Sequence, residues 1–414
     1  MKYIIGLLTT IFLLLSYTTP FAKEVYPKFT VKGFGTFGAS GTDTDRLGFR
    51  SDIKQTSGVT EDWAIDTDSR MGLQLDVDIN DSWHAMAQWV ARNSTGDFFE
   101  QNLDWAFLRW RPRNDLDIRA GRLGIDTFML SEYRNVGYAY LWTRAPHEFY
   151  AGLPVYHFDG VDIAKKYSVN DGTLTVKFFG GRSFTQVPTN VSGSAEQNLV
   201  LAGGKLAYEY GNWNARISYN YSQTNNELAP LQPLLDALNR PDINSVWPDA
   251  QYFVPYLATK NQSVHFSSMG LAYDDGIWLT QMEASYTDTN INLYPSVANA
   301  YLSMGRRFGK VTLYSLFGIS ESIHNPVKVS NPLMPIPDVV QLRNVTDQLI
   351  NTNGVDEKSI SLGLRWDVSQ NIALKTQWSH YWLGNDGVSL WLPAAAGPTP
   401  DTVNVWSVGM DFVF

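Results

Sequence analysis

The chain has 414 residues, no cysteine, 32 basic and 41 acidic residues, and a formal charge of −9 at pH 7. The lack of cysteine excludes disulfides, thiolate metal sites and cysteine catalysis. No basic face stands out, which argues against a nucleic-acid partner.

The first 22 residues, "MKYIIGLLTTIFLLLSYTTPFA", have the pattern of a secretory signal peptide. Lys2 precedes an apolar run from Ile4 to Leu15, and a short polar region ends at Ala22. This run of about 12 residues is too short to cross a bilayer as a helix, which needs roughly 20. An uncleaved anchor is the alternative. We predict a signal peptide over 1–22 and a single mature domain over 23–414, which is 392 residues (414 − 22).

Beyond the signal peptide, the apolar residues recur mainly with a period of two. In "SRMGLQLDVDIN" the apolar side chains of Met71 to Ile79 alternate with polar or small ones. Successive side chains of a strand point to opposite faces, so this segment predicts a strand with one apolar and one hydrated face. The same alternation occurs in "WNARISYNYS" and "KSISLGLRW".

About sixteen such segments follow one another along the chain. Pairs of them are joined by tight turns rich in Asn, Asp and Gly, such as "VNDG" and "RFGK", and longer irregular connections separate the pairs. The predicted strands are 28–39, 68–80, 82–93, 101–111, 115–122, 158–168, 172–182, 200–210, 213–222, 263–273, 277–287, 298–308, 310–320, 357–367, 371–382 and 402–414.

An even number of strands of about ten residues, with short turns at one end and long loops at the other, is typical of a transmembrane antiparallel β-barrel. Lipid offers no hydrogen-bond partner, so a sheet crosses it only when it closes and leaves no edge. The last strand is expected to pair with "KFTVKGFGTFGA". Its apolar face, which would contact lipid up to the final residue, consists of Trp406, Val408, Met410, Phe412 and Phe414.

The sequence resembles the sixteen-stranded, trimeric porins of Gram-negative outer membranes. One feature is the terminal Phe414 behind alternating apolar residues. A second is "LDWAFLRWRPRNDLDIRAGR", whose hairpin ends in Gly121–Arg122 and leads through a loop at 123–157 to Asp159–Gly160–Val161. The strand count over the mature chain is the third.

The resemblance implies an outer-membrane channel with short periplasmic turns, long extracellular loops and a third loop folded inward to narrow the pore. It implies contact with outer-membrane lipid and lipopolysaccharide, assembly by the barrel-insertion machinery, a homotrimer, and passive diffusion of small hydrophilic solutes and ions. Catalytic residues, cofactors and metals are not expected.

The residues that would select solutes are charged groups at the constriction, because such groups set the field and the size of a pore. Strand parity predicts the lumen wall residues Arg70, Arg119, Lys177, Arg216, Arg365 and Lys375, and the resemblance adds Arg122, although strict alternation would turn Arg122 outward without a β-bulge. The predicted loop residues are Asp126, Glu132, Arg134, Glu148 and Asp159.

The third loop also contains many aromatic residues, which suggest a stacking platform for sugars or other planar solutes. They are Tyr133, Tyr138, Tyr140, Trp142, Tyr150 and Tyr156. A solute-specific channel for a sugar or an anion is therefore the alternative to a passive porin, and an outer-membrane β-barrel enzyme is a further one. The acidic balance suggests a cation preference.

Two of the long loops have helical periodicity. "LQPLLDALN" places apolar residues on one face over 231–238, and "PDVVQLRNVTDQLI" does so over 337–350, with Pro337 well placed at its start. We expect these faces to pack against each other or against the barrel rim, and they could roof the pore. None of the six histidines shows a metal-binding spacing.

Overall fold

The computed structural model describes residues 26–95, 102–188, 194–291, 293–323, 327–351, 353–395 and 397–414, and the predicted signal peptide lies outside these ranges. Sixteen antiparallel strands form a closed barrel, in which each strand pairs with its neighbours in the chain and the last pairs with the first. The predicted fold class and strand number are confirmed.

The barrel strands are β1 Lys28–Thr42, β2 Arg70–Asp78, β3 Trp83–Arg92, β4 Leu103–Arg113, β5 Leu116–Gly124, β6 His157–Val169, β7 Gly172–Pro188, β8 Ser194–Tyr210, β9 Trp213–Thr224, β10 Ser263–Asp274, β11 Trp278–Thr289, β12 Ser296–Phe308, β13 Val311–Ile323, β14 Val355–Asp367, β15 Ile372–Val388 and β16 Thr402–Val413.

The barrel closes where β1 pairs with the end of the chain. The backbone N–H groups of Gly33 and Phe414 each donate to the other's carbonyl oxygen, at 2.9 Å. A methyl group at Gly33 would overlap the ring of Phe414, and one at Gly35 would overlap the ring of Phe412. These glycines therefore let the two rings lie against the outside of β1, and the final residue completes the seam.

The strand alternation separates an apolar outside from a polar inside. On β7 Phe178 is 62% exposed, whereas its neighbour Lys177 is 3% exposed. On β9 Ile217 is 54% exposed and Arg216 is 8% exposed. In both pairs the charged side chain is covered and the apolar one is exposed, which is the reverse of the pattern in a water-soluble protein.

Several strands extend further toward the long-loop end than their alternation predicted. Strand β7 continues to Pro188, β8 begins at Ser194, and β15 continues to Val388. The added segments, including "SFTQVP" and "SAEQNL", are mostly polar. Covered and exposed side chains still alternate in the β7 extension, since Ser183 and Thr185 are 2% and 4% exposed and Phe184 is 42% exposed. The pleat therefore continues although the covered face there is polar.

The long loops between β9 and β10 and between β13 and β14 form an apolar cap. The first contains α2 Gln232–Leu238, α3 Pro241–Val246 and α4 Val254–Leu257, and the second contains α5 Pro337–Asn351. The helices predicted over 231–238 and 337–350 are confirmed. Their apolar faces share one cluster, whose buried members include Leu235, Leu238, Trp247, Phe253, Leu257, Val339 and Ile350.

Two other loops meet at the same end of the barrel, where Leu47–Gly48 pairs with Leu392–Pro393 as a short antiparallel ladder. Among the residues that the structure describes, none of the helices has the length and apolar character needed to cross a membrane.

Candidate pore constriction

The connection between β5 and β6, residues 125–156, folds into the barrel and is called the third loop below. It contains the short helix α1 His147–Tyr150 and a 3-10 turn at Gly137–Ala139. Side-chain contacts join it to wall residues on most of the strands from β7 round to β1. These include Lys177, Arg216, Glu283, Ser303, Gln377 and Ser40. The inward-folded loop expected from the resemblance is present.

Aromatic residues hold one side of the third loop against the wall. Phe128 lies 5.1 Å from Phe266 of β10 between ring centroids, and Trp142 and Phe149 lie 5.7 and 5.3 Å from Tyr301 of β12. Most of these pairs meet edge to face, the favourable geometry for aromatic rings. The loop is therefore packed against the wall like a small hydrophobic core inside the lumen.

An ion cluster anchors the start of the loop. The carboxylate of Asp126, 2% exposed, lies 2.8 Å from Lys177 Nζ, 2.5 Å from Lys205 Nζ and 2.9 Å from Arg216 Nη2. Three cations on three adjacent strands, of which Lys177 and Arg216 are buried and Lys205 is half-buried, thus converge on one loop carboxylate. Asp162 of β6 adds a second carboxylate 3.1 Å from Lys177. Such groups stabilise the docked loop only while their partners stay in place.

Three further wall bases bind the middle of the loop, two through its backbone carbonyls and one through a side-chain hydroxyl. Lys375 Nζ donates to the carbonyl oxygens of Gly137, Tyr140 and Trp142 at 2.7 to 2.8 Å, and it lies 2.8 Å from Asp411. Arg365 donates to the carbonyl oxygens of Tyr138 and Tyr140 at 2.8 Å, and Arg70 donates to the hydroxyl of Tyr140.

The remaining predicted wall base, Arg119, faces the lumen and pairs with Asp162. Its Nη2 and Nε lie 2.5 and 3.0 Å from the two carboxylate oxygens. Glu132 at the tip of the loop is 58% exposed, and its carboxylate lies 4.0 Å from Arg119 Nη2 and 3.9 Å from Lys177 Nζ. Glu132 is therefore the predicted loop acid that faces the open part of the lumen.

Helix α1 carries two buried titratable groups into the wall near β13 and β14. His147 Nδ1 lies 2.7 Å from Glu357 Oε1, and the indole N–H of Trp391 donates to the other oxygen at 2.5 Å. The neighbouring Glu148 lies against Gly318. Burial, together with the negative charge of Glu357, raises the pKa of Glu148 to about 7, despite the opposing effect of His147.

Arg134 occupies a separate place in the loop. Its guanidinium carbon lies 3.5 Å from the ring centroid of Tyr156, where the returning loop approaches β6. The predicted loop charges thus fall into three settings: Asp126 and Glu148 anchor the loop, Glu132 faces the lumen, and Arg134 is stacked on an aromatic ring.

Two predicted constriction residues do not line the lumen. Arg122 and Asp159 share the outer-face parity of Ile118 and Val161, and their side chains pair on the outside of the barrel at 2.9 Å. No β-bulge shifts β5 at this point, so strict alternation turns Arg122 outward. The expectation from the resemblance is corrected for both residues.

Several of the aromatic residues that suggested a stacking platform are buried against the barrel wall. Tyr140, Trp142 and Tyr150 are 5%, 2% and 6% exposed and face the wall rather than an open pore. Tyr133 and Tyr138 remain partly exposed.

Two anchors were missed by the sequence reasoning. Lys205 has the same strand parity as Glu209, whose side chain the alternation of β8 turns inward. The lumen position of Lys205 could therefore have been predicted from the sequence. Glu357 lies on the polar face of β14, but its pairing with His147 depends on the path of the loop and has no local signal.

Comparisons with known proteins give a consistent picture of the fold. No family model matches the chain, and no curated protein matches it. OmpF of Salmonella typhi is 13% identical with a TM-score of 0.53, over 95% of this chain and 100% of that one. The anion-selective porin from Comamonas acidovorans is 13% identical with a TM-score of 0.52, over 94% and 99%. The outer membrane channel DcaP of Acinetobacter baumannii is 11% identical with a TM-score of 0.51, over 96% and 100%.

A closed barrel with an apolar outside, a charged inside and an inward-folded loop belongs to the class of transmembrane β-barrels. Within that class the chain has the fold of the Gram-negative outer-membrane porins, which confirms the expected fold.

The ion cluster predicts a large effect of Asp126→Asn. The substitution removes the shared counterion of Lys205 and of the buried Lys177 and Arg216, so we expect a loss of about 3–5 kcal/mol in the free energy of unfolding. Urea unfolding in detergent micelles measures this. Glu132→Gln, on the same loop but exposed, is the matched control and should change the value by less than about 1 kcal/mol. Equal effects of the two substitutions would contradict the anchoring role of Asp126.

The buried Glu148 predicts a pH dependence. Its pKa in the folded state, about 7, lies above the ordinary value of 4.5. The protonated form is therefore favoured by folding, and this contribution is complete below pH 4.5 and is lost as the pH rises through 7. The difference corresponds to about 3 kcal/mol.

We expect wild-type unfolding free energy to fall between pH 5 and pH 8.5, and Glu148→Gln to flatten that change. Glu61→Gln, in an exposed part of the first loop, should retain the wild-type pH profile. A profile of Glu148→Gln that matches the wild type would refute the assignment.

Proposed function

We propose that the protein forms a water-filled channel in the outer membrane of a Gram-negative bacterium, through which small hydrophilic solutes and ions diffuse. The observation that carries this proposal is the charged lumen of a closed barrel whose outer surface is apolar. Such a surface needs lipid, and such a lumen needs water or a docked polar loop. In the outer membrane we place the short turns on the periplasmic side and the capped end of the barrel on the extracellular side.

We place the open path for solutes along the lumen face of β4 and β5. Side chains there are partly exposed: Arg109, Arg111 and Arg119 have 29%, 41% and 21% of their side-chain surface accessible. Arg109 and Arg111 bind Asp117 at 2.6 and 2.9 Å. Basic and acidic side chains thus alternate along the proposed path for solutes. Glu132 of the third loop projects into the same part of the lumen.

Paired charges contribute less field to a pore than isolated ones, so the net charge of the whole chain does not set ion preference. The cation preference suggested by the acidic balance stays a prediction, and in this geometry Glu132 is the carboxylate best placed to produce it. Its side chain is the most exposed of the loop acids and its nearest cations lie at the edge of ion-pair distance.

Planar-bilayer recordings in a KCl gradient test the channel proposal. We expect stable conductance steps. We also expect a reversal potential whose sign indicates a modest preference for cations. Glu132→Gln should shift that potential toward anions, because it removes the exposed charge, while Asp242→Asn on the outer cap should not. A protein that gives no conductance would contradict the channel, and an anion-selective wild type would contradict the role of Glu132.

We further propose that the channel is a homotrimer whose subunits meet at the outer face of β3 to β5. This face carries small residues, among them Ala85, Ala87, Ala106 and Ala120. Beside them lies the Arg122–Asp159 ion pair. A charged residue on a lipid-facing surface is costly, by up to about 2–4 kcal/mol at the midplane. A neighbouring subunit can cover it, and the alanines permit close approach at their positions.

Ala87→Trp should convert the trimer into a folded monomer, because the indole would occupy the space that the alanine leaves for the neighbouring subunit. Ile217→Trp, on the apolar outer face of β9, is the control and should leave the trimer intact. The mass of the detergent-solubilised protein by light scattering distinguishes the two. A trimer that survives Ala87→Trp, or a wild-type monomer, would contradict the interface.

The proposal includes no catalytic step. His265 and His380, the two strand histidines relevant to a β-barrel enzyme, contact Tyr219 at 2.7 Å and Asn404 at 2.9 Å. Assembly through the C-terminal strand and contact with lipopolysaccharide remain predictions of the resemblance.

A further inference from the structure

Two arginines lie on the lumen face of β4, close to the short turn at 114–115 that joins it to β5. Arg109 Nε and Arg111 Nε lie 2.6 and 2.9 Å from the same carboxylate oxygen of Asp117 on β5. The two guanidinium groups make no other hydrogen bond or ion pair with residues in the described ranges. One carboxylate is therefore shared by two bases, Arg109 and Arg111, which we call the arginine pair.

The shared contact leaves most hydrogen-bond donors of the arginine pair unused. A guanidinium presents its Nε–H and Nη–H donors in a planar fork, which matches the oxygen atoms of an oxyanion. Asp117 accepts only from the Nε–H of Arg109 and of Arg111. The side chains are 29% and 41% accessible, so solutes in the lumen can reach their Nη groups.

A third arginine adds positive charge to the same part of the wall. Arg119 on β5 is directly opposite Arg109 in the strand register, and like charges in that position repel each other. Arg119 Nη2 lies 2.5 Å from Asp162, but Asp162 also lies 3.1 Å from Lys177. Asp162, like Asp117, is thus shared by two bases, and the wall has an excess of positive charge here.

The acidic side chains of the adjoining wall are engaged by other bases. His84 on β3 is directly opposite Arg109 in the register, and its Nδ1 lies 2.7 Å from Asp78 on β2. Asp76 on β2 lies 3.0 Å from Lys32 Nζ. These two carboxylates therefore have cationic or hydrogen-bonding partners of their own and do not compensate the arginine pair.

The end of β4 to β6 that adjoins the short turns carries more bases than acids. Arg113 at the turn lies 3.1 Å from Asp115. Lys166 on β6 shares the inward parity of Asp162, is exposed, and makes no ion pair within the described part of the chain. Four bases thus face two acids, an excess of two positive charges; the four are Arg109, Arg111, Arg113 and Lys166, and the two are Asp115 and Asp117.

We propose that the arginine pair binds the phosphate group of small solutes, inorganic phosphate included, near the short turns of the barrel. The phosphate oxygens accept hydrogen bonds from the Nη groups of Arg109 and Arg111, and the negative charge compensates the excess positive charge of the wall. This inference rests on the proposed channel function, since it gives a solute class that the lumen retains. Chloride has a single charge and one centre and cannot bridge two forks, so the site is compatible with a modest cation preference in KCl.

Inorganic phosphate at about pH 8, where it is mainly a dianion, is the probe for this site. In planar bilayers bathed in KCl, phosphate should reduce the single-channel current saturably, and acetate, which has one charge and one carboxylate, should reduce it less. Arg111→Gln leaves Asp117 paired with Arg109 and should raise the half-blocking phosphate concentration about threefold to tenfold, because charge-assisted hydrogen bonds are lost. Arg307→Gln is the matched control and should leave that concentration unchanged. Arg307 lies at the same end of the barrel, but both its Nη groups bind Asp274, at 2.5 and 2.8 Å.

Phosphorus NMR of phosphate mixed with the detergent-solubilised protein tests the site independently of conduction. The wild type should broaden the phosphate resonance, and Arg111→Gln should broaden it less. This result supports the site even if no channel is recorded, in which case only the channel function fails. Normal conductance with neither block nor broadening by phosphate overturns the site and leaves the channel function standing.

Two further outcomes would overturn the site. One is an equal effect of Arg111→Gln and Arg307→Gln on phosphate block, and the other is a block by acetate as strong as that by phosphate. Should Arg111→Gln not fold, Arg111→Lys retains the charge without the fork and should bind phosphate more weakly than the wild type.

Discussion

The need to pair every backbone N–H and C=O group is the constraint on which this structure depends. In hydrocarbon these groups find no other partner, so the sheet must close. Closure is achieved at the pairing of β1 with the chain end, where Gly33 and Phe414 exchange hydrogen bonds. The continuous ladder then fixes the pleat of every strand, and the pleat sends charged side chains into the lumen and apolar ones outward.

The second constraint is the charged inside of the barrel, because charges taken out of water are costly unless they are paired. The third loop pairs them by bringing both side-chain and backbone acceptors to the wall. Asp126 compensates three bases at once, and the carbonyl oxygens of Gly137, Tyr140 and Trp142 surround Lys375. The same contacts hold the third loop inside the lumen.

The period-two alternation was sufficient to predict the strands, their pairing order and the inward parity of Lys177 and Arg216. That information is local, because the pleat of a strand relates each residue to its neighbours. It was also correct for Arg122, where the resemblance to porins suggested the lumen and the geometry gave the outside. The predicted strand ends were too short at the long loops, as in the extension of β7 to Pro188, because polar residues there weaken the apolar alternation while covered and exposed side chains still alternate.

The course of the third loop was not available from the sequence in the same way. Its inward fold was expected, but which loop residue meets which wall residue depends on contacts far apart in the chain, such as that of Asp126 with Arg216. The tyrosines that suggested a solute platform illustrate this. Their composition did not distinguish Tyr140, which is buried on the wall, from Tyr156, which supports Arg134.

The central claim is the division between a lipid-facing and a lumen-facing side of every strand. Because the chain has no cysteine, single cysteines can be placed along β9 and spin-labelled in liposomes. Accessibility to lipid-dissolved oxygen should alternate, high at positions 213, 215, 217 and 219 and low at 214, 216, 218 and 220. Uniform accessibility along β9, or the opposite phase, would contradict the account.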